Sequence, residues 1–311
     1  MIRPIRLSIR SFSITTKLKS SYTHVPRKTI SDIHELYKSN IPITISTSHD
    51  YITSKMVDDA DIDINLVGDS LANTTLGYQD TNELTIDEML YHVKSVQRGN
   101  SKSLIVADLP FGSFEKSQKQ AIESAIKLIQ LGKIQAVKLE GANEDTLKTI
   151  KKLVSIGVPV MGHSGLTPQK HNTMGGYKIQ GKDSENALQI YKDCLNLQKS
   201  GVFAIVLECI PNKISKFITE KLNIPTIGIG AGPYCSGQVL VISDLLGMKN
   251  PEENHIAKFV KPYANFYNLG IEGLKNYKND VITKKFPLAD EHGYKIKKEV
   301  YEQFKKEAES I

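Results

Sequence analysis

Eight short runs of apolar, mostly β-branched residues recur along the middle of this chain, and they constrain its fold more than any other feature. They are Ile43–Thr47, Ile62–Val67, Leu104–Ala107, Ile134–Leu139, Val158–Met161, Val202–Leu207, Thr226–Ile229 and Val239–Ile242. Runs of this length suit strands buried on both faces. Amphipathic stretches lie between most of them: Ile86–Arg98, Gln118–Leu131, Glu144–Ser155 and Asn186–Lys199. Each spaces its apolar residues three and four apart, with charges opposite. These helices are predicted to stop at Gly99, Gly132, Gly157 and Gly201, because glycine tolerates a left-handed C-terminal turn. Strand, helix, glycine, strand is a β/α repeat. An α/β protein follows, either a closed (β/α)8 TIM barrel or a doubly wound open sheet. The number of strands, and polar residues following most of them, favour the barrel.

The 311-residue chain carries a net charge of +6, but the excess belongs to its beginning. Residues 1–31 hold seven Lys or Arg and no Asp or Glu, which leaves the body nearly neutral. Such a body offers little to a nucleic-acid backbone, so no nucleic-acid partner is expected. The first segment is rich in Arg, Ser and Thr, with Ile5, Leu7, Ile9 and Phe12 among its arginines. That is the composition of a mitochondrial transit peptide. Arg10-Ser11-Phe12-Ser13 resembles a processing site. We therefore expect a transit peptide at 1–28 and a matrix protein; a basic tail without an address, on a cytoplasmic protein, is the alternative. The catalytic barrel is expected at 29–275 and a helical, lysine-rich C-terminal extension at 276–311. No apolar run approaches the roughly 20 residues of a membrane-spanning helix, so no membrane insertion is expected. Cys194, Cys209 and Cys235 are too few for a disulfide scaffold and lack the paired spacing of a zinc site.

Charged or polar residues close the apolar runs. Asp69-Ser70 follow NLVG, Asp108 follows LIVA, and AVKLE contains Lys138 and Glu140. His163 follows VPVMG, and Glu208 follows FAIVL. In a parallel barrel all these strand ends share one rim, where barrel enzymes place their active sites. Lys138 and Glu140 are two apart and point to one face; they form either a structural ion pair or part of a site. Asp69, Asp108 and Glu140 supply hard oxygen ligands suited to Mg²⁺, although each alone also suits a helix N-cap or a rim charge. Glu208, preceded by apolar residues, is a candidate general base if desolvation raises its pKa; otherwise it caps the next helix. His163 either donates to a substrate oxygen or holds its own loop. The glycine-rich segment 226–238 reads as close backbone packing rather than a dinucleotide cradle, since no acid follows about 20 residues on after a second strand.

Taken together, VGDSL (67–71), ADLPFGS (107–113), VKLEG (137–141), GHSGLTPQ (162–169), LECIP (207–211) and IGIGAGPYCSGQVLV (227–241) closely resemble the ketopantoate hydroxymethyltransferase family. The segments occur in family order with family spacing, over about residues 30–250. The resemblance implies a barrel of the phosphoenolpyruvate/pyruvate type, usually assembled as a homo-oligomer. It implies Asp69 and Asp108 as Mg²⁺ ligands, with Glu140 as a further ligand, direct or through water. It also implies that Asp69, Ser70, Asp108 and Lys138 hold the oxo acid, with His163 in the substrate pocket, and that Glu208 accepts the proton. The implied reaction moves a hydroxymethyl group from 5,10-methylenetetrahydrofolate to 3-methyl-2-oxobutanoate, giving 2-dehydropantoate, through a Mg²⁺-stabilised enolate. Another Mg²⁺-dependent oxo-acid lyase or mutase is the alternative. Ser236, where the family usually has Asp, is a departure that touches none of the carboxylates.

Overall fold

The computed structural model describes residues 27–253 and 256–311. Its eight strands are β1 (Ile43–Thr47), β2 (Ile64–Val67), β3 (Leu104–Asp108), β4 (Ala136–Lys138), β5 (Val160–Gly165), β6 (Ala204–Glu208), β7 (Thr226–Ile229) and β8 (Gly237–Leu240). Neighbours pair in parallel in sequence order, and β8 returns to β1, which closes the barrel. Ile45 stands opposite Ile64 at one seam and Ile43 opposite Gly237 at the last. The open-sheet alternative is thereby excluded.

Strand parity sorts the apolar residues into two cores. Ile43, Ile45, Ile64, Leu66, Leu104, Val106, Ala136, Met161, Ala204, Val206 and Ile227 fill the barrel interior. Their neighbours along the strands, among them Val67, Ile105, Ala107, Val137, Val160, Ile205 and Leu207, face the outer helices. Each fully buried Leu or Ile contributes about 1.5–3 kcal/mol, so both faces of β2 to β6 reward burial, whereas β1 and β8 each expose one outward residue, Thr44 and Gln238.

Helix α1 (Ile30–Lys38) plugs the end of the barrel where the strands begin. Its Ile33 is fully buried against the interior core. The capping box between Thr29 and Asp32 fixes where this helix starts. Arg27 and Lys28, which the sequence reading put in the leading arm, are tied to this floor. Arg27 donates to the Asn100 carbonyl at 2.7 Å, and Lys28 pairs with Asp63 at 2.6 Å. The rest of the expected transit segment, residues 1–26, lies outside the described residues.

The outer layer contains α2 (Tyr51–Asp59), the single turn α3 (Leu71–Thr74), α4 (Ile86–Gly99), α5 (Gln118–Gly132) and α6 (Glu144–Ser155). After β5 come the single turn α7 (His171–Met174), α8 (Ser184–Lys199) and α9 (Asn212–Lys221). The predicted glycine stops divide into two kinds. Gly157 and Gly201 adopt left-handed φ values of 88° and 91° after their helices. Gly99 and Gly132 are instead the last helical residues; a Cβ at Gly132 would come within 2.5 Å of Val93 Cγ1, so close packing requires glycine there, and Lys133 takes the left-handed turn.

The β/α alternation lapses once. β7 runs to β8 through residues 230–236 with no helix between them. A Cβ at Gly237 would lie 2.4 Å from the Ile43 carbonyl oxygen, so this glycine permits the barrel to close. Beyond β8 the chain forms α10 (Ile242–Leu245), α11 (Phe266–Ile282), α12 (Ala289–His292) and α13 (Lys298–Ala308). The expected boundary after residue 275 falls inside α11 rather than between elements. No residue of α11, α12 or α13 is buried. Among the described residues no helix is long and apolar enough to cross a membrane.

Candidate active site

The interior parity of the strands continues past their apolar portions. Val106 is interior and so is Asp108; Ala136 is followed by Lys138 and Glu140, Met161 by His163, and Val206 by Glu208. Each functional side chain is thus aimed into the barrel mouth by the rule that buries its neighbours. Asp69 and Ser70 lie just past β2, where α3 begins. All seven residues singled out in the sequence line one cavity of about 100 Å³: Asp69, Ser70, Asp108, Lys138, Glu140, His163 and Glu208.

The charges are close and mostly dry. Asp69, Asp108, Lys138, Glu140 and His163 are each 5 % exposed or less. Lys138 Nζ is 3.1 Å from Asp108 Oδ1 and 3.4 Å from His163 Nδ1. His163 Nδ1 is 3.5 Å from Glu140 Oε1, while its Nε2 is 3.2 Å from Glu208 Oε2. The Asp69 backbone N–H donates to Asp108 Oδ2 at 3.0 Å. Four carboxylates therefore face one ammonium and one imidazole.

Burial and this crowding set the protonation. Burial, then the charges of Asp108 and Glu140, push the Asp69 carboxyl well above the usual range. For Lys138, burial opposes the charge, but Asp108, Glu140 and Asp69 outweigh it and hold the ammonium. Burial and Lys138 disfavour a charged His163, yet Glu140 and Glu208 carry it up to about 9. Burial works against an ionised Glu140, but His163, Lys138 and the Gln169 N–H prevail and lower it.

Glu208 shares its cavity with Val206, Ile229, Val239 and Val241 but is not fully buried, and it does not cap α9, whose N-cap is Pro211. Its side chain is 16 % exposed and contacts the His163 ring. The chain turns sharply after it, since Cys209 takes a left-handed φ of 49°, unusual for a residue with a side chain.

Gln169 belongs to this site and was not singled out in the sequence. It is 4 % exposed, and its Nε2 donates to Asp69 Oδ2 at 2.8 Å and to the Leu109 carbonyl at 3.0 Å. Its backbone N–H donates to Glu140 Oε2 at 3.1 Å. One residue thereby spaces two carboxylates that repel each other. It lies in the 3-10 turn Pro168–Lys170, beyond the reach of strand parity; its place in GLTPQ was the one available signal.

The buried Asp108 Oδ1 and Glu140 Oε1 make no directed hydrogen bond, despite their nearby cations. Among the described residues, no three His, Cys, Asp or Glu side chains form a ready metal cluster. Asp69, Asp108 and Glu140 share a cavity without presenting a joint three-carboxylate grip.

The chain is similar to known proteins in both sequence and fold. The family model for ketopantoate hydroxymethyltransferase matches residues 27–289. A 3-methyl-2-oxobutanoate hydroxymethyltransferase of Emericella nidulans is 45% identical over 288 residues, 92% of this chain and 82% of the relative. That of Saccharomyces cerevisiae is 42% identical over 310 residues, 98% of this chain and 97% of the relative. The fold resembles phosphoenolpyruvate phosphomutase from Streptomyces platensis subsp. rosaceus, with a TM-score of 0.55 at 12% identity over 91% of this chain and 98% of that one. It also resembles 2,3-dimethylmalate lyase, of the PEP mutase/isocitrate lyase superfamily, at a TM-score of 0.53 and 12% identity over 92% of this chain and 100% of that one. With a matched model across the barrel and relatives of this identity along nearly its whole length, the chain belongs to the ketopantoate hydroxymethyltransferase family.

Proposed function

We propose that this chain transfers a hydroxymethyl group from 5,10-methylenetetrahydrofolate to 3-methyl-2-oxobutanoate, giving 2-dehydropantoate, the first step of pantothenate synthesis. The observation that carries the reading is the convergence of Asp69, Asp108, Lys138, Glu140, His163 and Glu208 on one small cavity in a member of this family. Glu208 Oε2 takes the proton from C3 of the oxo acid, and the His163 imidazole, with Nε2 3.2 Å away, stabilises that carboxylate by charge. Lys138 and Ser70 hold the oxo-acid oxygens. The enolate carbon C3 then bonds to the methylene carbon as the bond to one folate nitrogen breaks, and water adds to that carbon as the bond to the second nitrogen breaks; the proton from C3 and one from water end on the two nitrogens of tetrahydrofolate.

The donor set fits a divalent ion. Mg²⁺ binds through one or two carboxylates and keeps waters and substrate oxygens in its shell, so a three-carboxylate grip is not required. Asp69 and Asp108 would hold it directly and Glu140 through water, which answers the unmet Asp108 and Glu140 oxygens. Such an ion supplies Lewis-acid stabilisation of the developing oxyanion.

The arm's Arg- and Ser-rich composition supports a mitochondrial address. A homo-oligomer is supported by the exposed apolar residues Leu269, Leu274, Tyr277 and Ile282 on α11.

The test is product formation by purified protein given Mg²⁺, the oxo acid and methylenetetrahydrofolate. Stoichiometric 2-dehydropantoate and tetrahydrofolate are expected. Folate-independent cleavage or rearrangement of an oxo acid would replace this reading with the lyase or mutase alternative.

A further inference from the structure

A cavity of about 100 Å³ takes a small oxo acid and leaves no room for a folate; sites for larger organic ligands run to roughly 300–1,000 Å³. The one-carbon donor therefore seats elsewhere and reaches the reacting carbon over the barrel rim. Three outer cavities are large enough, at about 370, 430 and 450 Å³. The two larger ones include no residue flanking a site residue. The third does. Gly141 follows Glu140, and Ser164 follows His163. Gln180, also in its wall, donates its backbone N–H at 2.9 Å to the carbonyl of Cys209, the residue after Glu208.

The chemistry of this cavity is as specific as its place. Asp193 of α8 faces it with its carboxyl raised by burial; Gln189 Nε2 donates to one oxygen at 2.8 Å. Lys170, also in the wall, lies against Gly141 and its charge acts on Asp193, but among the described residues its Nζ makes no hydrogen bond and no ion pair within 4.0 Å. Ile190 and Met174 add apolar surface. A cation and a partly desolvated carboxylate that act on each other without a direct ion pair, beside apolar side chains, match a flat heterocycle with paired N–H donors on one edge and a carbonyl acceptor nearby. The 2-amino-4-oxo ring of a pterin has that pattern.

Resting on the folate-dependent function proposed above, we propose that this cavity between the β5–α8 loop and α8 binds the pterin ring of the one-carbon donor, with Asp193 pairing its N–H edge and Lys170 its carbonyl. The assignment makes Asp193 and Lys170 binding residues for the folate and not for the oxo acid.

The test is steady-state kinetics of the full chain, varying each substrate in turn. Asp193→Ala removes a charge-assisted pair and should raise the KM for methylenetetrahydrofolate about tenfold or more, with the oxo-acid KM shifted less than about twofold. Lys170→Met should act in the same direction. Asp193→Asn preserves shape and guards against misfolding; it should show the same split between the two KM values, less strongly. Unchanged folate KM in all three variants, with normal wild-type turnover, would overturn this assignment alone. Wild-type protein that makes no product from methylenetetrahydrofolate would overturn the function as well.

Discussion

The two ends of the barrel use the same residue types to opposite purposes. At the floor, where strands begin, carboxylates are saturated. Asp58 accepts from the backbone N–H groups of Ser101 and Lys102 at 2.9 and 2.6 Å and from the Ser101 hydroxyl at 2.6 Å. Asp63 accepts from Lys28 and from both the backbone N–H and the hydroxyl of Thr44. At the rim, Asp108, Glu140 and His163 are equally buried, yet each keeps an atom without a directed hydrogen bond. Buried polar atoms in folded proteins are ordinarily satisfied. The floor follows that rule and contributes stability; at the rim the same kinds of atom have charge partners at 3.1–3.5 Å but no directed hydrogen bond, which leaves them able to accept a ligand.

Substitutions can break or sharpen this contrast. The largest effect is expected at Glu208→Gln, which keeps shape but not basicity. Turnover should fall by about 10²–10⁴-fold with little change in melting temperature. Asp108→Asn should come next, with kcat/KM down about a hundredfold, while chemical unfolding shows less than about 1 kcal/mol of lost stability, because relieved repulsion with Asp69 offsets the weakened pairing with Lys138, which keeps Glu140 and Asp69 as counter-charges. A large stability loss there would mean that the rim is structural after all.

Gln169→Ala should cost about tenfold in kcat/KM by letting Asp69 and Glu140 drift. Gln169→Glu should be worse than Ala, since it adds a charge where two already repel. Equal behaviour of the two variants would remove the spacing role.

The smallest effect on activity belongs to the floor. Asp58→Asn should leave kcat within about twofold but cost roughly 1–3 kcal/mol of stability, because the N–H groups of residues 101–103 then donate to a neutral acceptor in place of a carboxylate and the Ser101 hydroxyl loses its own. Burial opposes ionisation of Asp58, but the Ser101 hydroxyl and the N–H groups of residues 101–103 outweigh it and lower its pKa. Its stabilisation is therefore present above the unfolded-state value of about 4 and is lost as pH falls through the lower folded-state value. Wild-type and Asp58→Asn unfolding free energies should accordingly converge in acid; a constant gap would contradict the assignment.

Much of this was legible because burial on both faces of a strand leaves a dense apolar signature. The eight runs lie on the eight strands, differing only at their ends. The alternation that places Val106 inside also places Asp108 inside, and the same holds from Met161 to His163 and from Val206 to Glu208. What escaped depends on contacts distant in sequence. Gln169 acquires its role only when the loop after β5 folds over Asp69, 100 residues away. Gly132 does end its helix as expected, but the left-handed turn falls to Lys133 and the glycine is required by Val93 packed against it. Nothing local marked Arg27 and Lys28 as part of the floor, because a basic pair looks alike in a tail and over an acidic Asp63. The boundary after residue 275 was set by composition, which changes gradually within α11.

The most direct measurement of the central claim, that scattered strand ends assemble one proton-abstracting centre, is deuterium exchange at C3 of 3-methyl-2-oxobutanoate. It needs only protein, Mg²⁺, the oxo acid and D₂O, followed by NMR, with folate omitted. Wild-type protein should wash out the C3 proton at a rate proportional to enzyme concentration, and Glu208→Gln should not. Exchange by Glu208→Gln at the wild-type rate, or none by a wild-type protein that turns over with folate present, would contradict the assignment of the base.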